Sequence, residues 1–203
     1  IGSYAMVITV TNSYFQHNRA TGSSGGGMYA FGDLALSNSR FISNTANGGG
    51  GGVSHVNIFE ARRGAITNSL FADNRASVGN AIASNGVISI THVTVGAPAQ
   101  VPGYGISLDG WTSGSGMNVR NTIIDNQATG IFKDGPGPLQ EDYNLFSSVT
   151  TNLLGAVISG GNSVSGVAAF VASATDDYHL SSSSAAIDAG ANFGVATDFD
   201  GEG

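Results

Sequence analysis

No cysteine occurs in the chain, so neither disulfides nor thiolate metal sites contribute to it. Cations are scarce as well, with seven Lys and Arg against 14 acids and a formal net charge of -7. Residues 1–101 hold five Arg and three acids, and residues 102–203 hold two cations and eleven acids, so the halves sum to +2 and -9. Scattered cations in that number cannot neutralise a run of phosphates, and no nucleic-acid partner is expected. No apolar run reaches the roughly 20 residues that span a bilayer, so no transmembrane segment is expected. The chain opens at Ile1 without an initiator Met or a leader-like segment and closes on "DFDGEG". A processed chain or a fragment of a longer protein is the expectation. What the chain does have is glycine, 31 of 203 residues, together with 41% hydrophobic residues. That mixture is too apolar for disorder and too rich in glycine for a helical bundle, and it suits an all-β chain with many turns.

A repeat organises those turns. "FQHN" at Phe15–Asn18 returns as "FISN" at Phe41–Asn44 and "FADN" at Phe71–Asn74, at intervals of 26 and 30 residues. Each is preceded by a stretch alternating with period two, as in Ile8-x-Val10-x-Asn12 and Leu34-x-Leu36-x-Asn38, which marks strands with one face inward. Weaker copies start at Ile88 and Met117, and each copy is followed by a glycine cluster and an apolar residue: Met28, Val53, Ile82, Ile106 and Ile131. Units of this length with three short strands predict the coils of a parallel β-helix, with like residues stacked about 4.8 Å apart. Phe15, Phe41 and Phe71 would then stack inside the tube, continued by Val95 and Ile123. Asn12, Asn38 and Asn68, with His92 in the same inward column, would form an amide ladder, as would Asn18, Asn44 and Asn74. The first set is equally compatible with turn residues that tolerate left-handed backbone angles.

The GG-apolar and FxxN motifs, in register over about residues 6–135, resemble the right-handed parallel β-helix repeats of bacterial surface proteins of the polymorphic outer-membrane-protein type. The segments "EDYNLF", "GVAAFV", "DDYHLSSSSAAIDAG" and "TDFDGEG" resemble the C-terminal region of β-helix proteins called choice-of-anchor Q. Ala168–Ala169 and Ala185 stand where that family usually has an acid–proline pair and a proline. The repeats predict five to six coils in one continuous domain, with the coils over residues 1–140 and, over 141–203, the last coil and a C-terminal segment that wraps or extends it. The resemblance implies a secreted or cell-surface bacterial protein.

Chemistry is expected on one flank. The connections from Val53 to Gly64 and from Ile106 to Met117 are longer than the others, and "FKDGPGP" follows Ile131 one coil later. They would gather His55, Phe59, Glu60, Arg62, Arg63, Asp109, Trp111, Lys133 and Asp134. In an enzyme, Arg62 or Lys133 would be the base of an eliminating lyase on an acidic polysaccharide. Glu60 with Asp109 would be the carboxylate pair of a glycoside hydrolase. Otherwise His55, Phe59, Arg63, Trp111 and Asp134 would bind carbohydrate or a surface protein without turnover. Asp198, Asp200 and Glu202 alternate like the opening of a calcium loop, which makes calcium the one candidate cofactor. The leading expectation is a noncatalytic, adhesin-like or structural module. A polysaccharide lyase or hydrolase and a filament built by end-to-end self-association are the alternatives.

Overall fold

The computed structural model describes residues 7–57, 63–110 and 114–198, which form a parallel β-solenoid of about six turns. Three strand stretches recur in each coil. The first stacks Val7–Thr11, Asp33–Ser37, Arg63–Ala72, Val87–Gly96, Gly116–Arg120, Leu139–Asp142 and Val157–Ser159, in that order. The second stacks Tyr14–Gln16 and Arg40–Ile42 on the later halves of Arg63–Ala72 and Val87–Gly96, then Ile123–Asp125, Leu145–Ser147 and Val164–Ser165. The third is the six-stranded sheet Met28–Phe31, Val53–Val56, Ile82–Ser84, Val101–Asp109, Gln127–Asp134 and Thr151–Leu154. Strands of neighbouring coils are parallel and largely in register, so period-two alternation along each strand becomes a set of vertical columns.

Those columns are the core. Leu36, Ile66, Ile90 and Val119 stand above one another, as do Val53, Ile82, Ile106 and Ile131, all nearly or fully buried. Phe41 lies between Phe15 and Phe71, with ring centroids 4.5 and 4.8 Å apart and planes within 5° of parallel. The register continues this column through Val95 and Ile124 to Phe146. Ile124 therefore takes the place expected for Ile123, which sits one residue earlier on the outer face. Backbone must come close to these rings: a Cβ on Gly52 would lie 2.6 Å from the Phe71 ring and 2.8 Å from the Ala81 carbonyl oxygen.

Two bends separate the stretches; the first is made by a left-handed residue in six coils and the second in five of them. Asn12, Asn38, Asn68, His92, Asn121 and Tyr143 occupy the first bend with φ between 46° and 55°. His17, Ser43, Asp73, Asn126 and Ser148 occupy the second with φ between 49° and 55°. Asparagine enters this region more readily than most residues, because its short amide can bond locally. The bend also sends its side chain out of the coil, so the first asparagine column is not inward as expected. It is still a partial ladder, since the Asn68 amide donates to Asn38 Oδ1 at 2.9 Å.

The inward ladder is the other one. Asn44 Oδ1 accepts from the Asn18 backbone N–H at 3.0 Å and from its amide at 2.9 Å. Asn74 Oδ1 receives the same two bonds from Asn44. The amides of Asn44 and Asn74 then donate to the carbonyls of Phe15 and Phe41. A second ladder accompanies it just after the first bend. Ser39 Oγ accepts the Ser13 N–H, Ser69 Oγ the Ser39 N–H, and Asn144 Oδ1 the Thr122 N–H. Backbone groups buried at the bends thereby find partners that the strand ladders cannot supply.

After its last coil the chain turns back along the flank. The Ala168 N–H donates to Ser147 Oγ, and Phe170–Ala172 pairs antiparallel with Asp177–Leu180. Tyr178 packs on Ile42, Leu70 and Ala72, which point outward yet are at most 8% exposed. Gly96 permits this approach, because a Cβ there would stand 2.5 Å from the Tyr178 ring. Residues 190–198 then run down the first-bend column. Asn121 exchanges bonds with Ala191, Phe193 wedges edge-on against Tyr143 beneath Arg120, and the Asn68 amide reaches the Asp198 carbonyl. The outermost strands Thr151–Leu154, Val157–Ser159 and Val164–Ser165 pair on one side only, and Leu154, Ile158 and Val164 are exposed there.

Candidate functional site

Phe59, Glu60, Arg62, Trp111, Asp200 and Glu202 lie outside the described residues. Among the rest, the structure brings Asp109 and Asp134 together, and leaves Lys133, His55 and Arg63 outside the hollow that the pair lines. Asp109 and Asp134 are register partners on neighbouring coils at the end of the third sheet. With Val78, Phe132 and Pro136 they line a hollow of about 390 Å³. The Phe132 ring stacks on Tyr104 with centroids 4.1 Å apart and planes 14° from parallel, a platform that the sequence reading did not single out. Burial, then the neighbouring Asp134, raise the Asp109 pKa above the ordinary carboxylate value, and its Oδ1 is enclosed without a hydrogen-bond partner. Lys133 turns away from the pair, donating from Nζ to the Gly135 carbonyl at 2.6 Å.

His55 is a correction. It was expected on the flank, but the strand Val53–Val56 carries alternation two residues past Val53 and places His55 inside the tube at 0% exposure. Its Nε2 faces the Gly32 carbonyl at 2.9 Å, which only accepts, so Nε2 carries the proton. Nδ1 then accepts from Ser84 Oγ at 3.0 Å. With both nitrogens engaged and no exposed surface, this His–Ser pair is structural. Burial lowers the His55 pKa below 6.5. As pH falls below that value the unfolded chain takes up the proton first, so stability is full above pH 6.5 and is lost toward the lower folded pKa. His92 is shifted in the same direction by burial. His55→Gln should therefore lose less stability than the parent chain between pH 7.5 and 5.5 in urea unfolding. Equal losses would contradict a buried neutral His55.

Arg63 is exposed at the start of its strand, where its backbone N–H donates to Asp33 Oδ1 at 2.8 Å. Asp198 is exposed at the end of the returning segment, and among the described residues no group of three or more His, Cys, Asp or Glu could hold a metal ion. The described part of the expected calcium loop therefore offers one carboxylate. A second cavity, of about 740 Å³, lies between the returning segment and the second strand stretch, with Leu70, Thr94 and Ile123 as its floor and His92, Asn121 and Tyr178 in its walls. The sequence signal for it was weak: "DDYHL" was legible as a family-like string, but not as a wall opposite His92.

Fold and flank together define a parallel β-helix protein with a C-terminal segment laid back along its side. No family model matches this chain, and no curated protein or solved structure matches it.

Proposed function

We propose that this chain is a noncatalytic β-helix module of the secreted or cell-surface bacterial type that binds carbohydrate through the Asp109–Phe132–Asp134 hollow. The observation that carries the reading is the hollow lined by two register-paired carboxylates, Asp109 and Asp134, and by Phe132 of a stacked aromatic pair. Carboxylate oxygens accept from sugar hydroxyls, and the C–H faces of a pyranose pack on an aromatic ring. The hollow falls within the usual range of ligand pockets, about 300 to 1,000 Å³. Two adjacent carboxylates disfavour a uronate, so neutral or amino sugars suit it better than an acidic polysaccharide. Lys133, held on the Gly135 carbonyl, is poorly placed as an eliminating base.

One observation favours a second reading, a glycoside hydrolase. Two register-paired carboxylates, one with a raised pKa, are the groups that glycoside hydrolysis divides between acid and nucleophile. The same experiment decides between them. The whole chain is applied to a glycan array, and reducing ends are measured on the glycans it retains. Binding without new reducing ends is expected, weakened about tenfold or more by Asp109→Asn and by Phe132→Ala, since each tenfold is about 1.4 kcal/mol. Asp109→Asn should also leave the melting temperature unchanged or higher, because it removes the charge from a half-buried carboxyl whose Oδ1 has no donor. New reducing ends lost in Asp109→Asn would establish the hydrolase. Failure to bind any glycan, or equal binding by both variants, would refute both readings.

A further inference from the structure

The two ends of the solenoid share a composition that the middle coils lack. Among the described residues, every exposed large hydrophobic side chain lies in the first coil, in the last coil or in the returning segment. Val7, Tyr14 and Tyr29 are 49–64% exposed at one end, and Leu154, Ile158 and Val164 are 39–55% exposed at the other. Charge is missing from the same places. Arg19 is the only Asp, Glu, Lys or Arg between Val7 and Gly32, and none occurs between Tyr143 and Thr175. An unpaired strand edge is ordinarily blunted by a charge, a proline or a covering element. The strands Val7–Thr11, Tyr14–Gln16 and Met28–Phe31 at one end, and Thr151–Leu154, Val157–Ser159 and Val164–Ser165 at the other, contain neither charge nor proline. Each of the six pairs on one side only among the described residues.

The register shows what these edges fit. Followed from coil to coil, the column of Tyr29 ends at Leu154, that of Tyr14 at Val164 and that of Thr9 at Ile158. One further step of the same stacking sets the last coil of one copy against the first coil of another, with Leu154 on Tyr29 and Val164 on Tyr14. Inside the tube the same step sets Val157 on Ile8 and Leu153 on Met28, which prolongs two aliphatic columns of the core. Ser159 and Ser165 fall opposite Val10 and Phe15, and their hydroxyls already have partners, the Gly161 N–H and the Asn152 amide, so closure strands neither. Only this orientation continues all three sheets in their parallel sense. From these observations we infer that the two ends are complementary halves of a self-association surface, the last coil of one copy docking head-to-tail on the first coil of a second copy. Such a contact is heterologous and leaves a free end on each added copy, so it propagates into a filament. It does not depend on the Asp109 hollow.

Sedimentation velocity on the whole chain tests this. The average mass should rise with concentration between micromolar and millimolar and pass that of a dimer, as an open-ended contact requires. Leu154→Lys and Tyr29→Lys each place a charge at the join, from opposite ends and at exposed positions, and each should weaken association about tenfold or more. Orientation is read separately. The chain has no cysteine of its own, so Thr9→Cys and Ile158→Cys can be mixed and oxidised. Register partners on parallel strands lie about 4.8 Å apart, within the roughly 4.4–6.8 Å that a disulfide spans. Linked pairs should form in the mixture and in neither variant alone. A chain that stays monomeric throughout, as it would if its ends fit only further coils of a longer polypeptide or another protein, overturns the proposal. So does association that both Lys variants leave intact, or linkage within Thr9→Cys alone, which would mean that two like ends meet.

Discussion

Phe41→Ala should destabilise the protein by about 3–5 kcal/mol, the range for emptying a buried phenylalanine site. Phe41 is fully buried between two parallel rings, so truncation removes stacking on both faces at once. The neighbours cannot move in to fill the gap, because coil spacing is set by the parallel strand pairs on either side. Phe15→Ala, at a half-buried position with one stacked neighbour, should cost roughly half as much. Urea unfolding of the two variants measures the difference. Equal costs would mean that the rings do not form a continuous stack.

The same column shows how far the sequence could be read. Phenylalanine at three fixed places after a period-two stretch identifies an inward column, because side chains on parallel, in-register strands have only two faces to choose between. Alternation loses its meaning at a left-handed residue, and most coils contain two. The sequence therefore marked both asparagine columns as regular without showing that Asn12, Asn38 and Asn68 turn outward while Asn18, Asn44 and Asn74 turn inward. The bend-to-bend count of five residues, from Asn68 to Asp73 and from Asn121 to Asn126, makes Gln127 the counterpart of Asn74. Gln127 accepts from the Asn80 amide at 3.1 Å in that role. The serine ladder was legible in the Ser that follows Asn12, Asn38 and Asn68, but a hydroxyl beside a turn asparagine is easily taken as part of the turn.

His55 was misplaced for a related reason. Its strand was taken to end near Val53, although Val53-x-His55 aligns with Ile82-x-Ser84 and Ile106-x-Leu108, whose second members are also inside. The C-terminal segment was expected to wrap or extend the last coils, whereas it reaches back to Ile42 and Asn68. It docks through backbone carbonyls and small residues, with Tyr178 and Phe193 as its two aromatic anchors, and sequence periodicity carries no information about which coil each one reaches. Of the candidate chemistry, the Asp109–Asp134 pairing could have been inferred once Ile106 and Ile131 were aligned, since each acid lies three residues beyond.

Asn44→Ala tests whether the inward amides hold the coils together or merely line them. The Asn44 side chain takes part in four bonds: two accepted from Asn18, one donated to the Phe15 carbonyl and one to Asn74 Oδ1. Asn44 is itself completely buried, so its loss leaves donors and acceptors that little water can reach. A buried polar group left unsatisfied costs about 1–3 kcal/mol, and several are exposed to that cost at once, so a total of about 2–4 kcal/mol is expected. Asn44→Asp should not rescue stability: it keeps an acceptor for Asn18 but sets a second oxygen against Asn74 Oδ1 and the Phe15 carbonyl, where only a donor fits. Asn18→Ala, at the exposed end of the same ladder, should cost about 1 kcal/mol or less. A ladder that only lines the bend would give the two alanine variants similar midpoints in urea. One that joins coils separates them by more than 1 kcal/mol and makes Asn44 as important to this solenoid as the phenylalanine beside it.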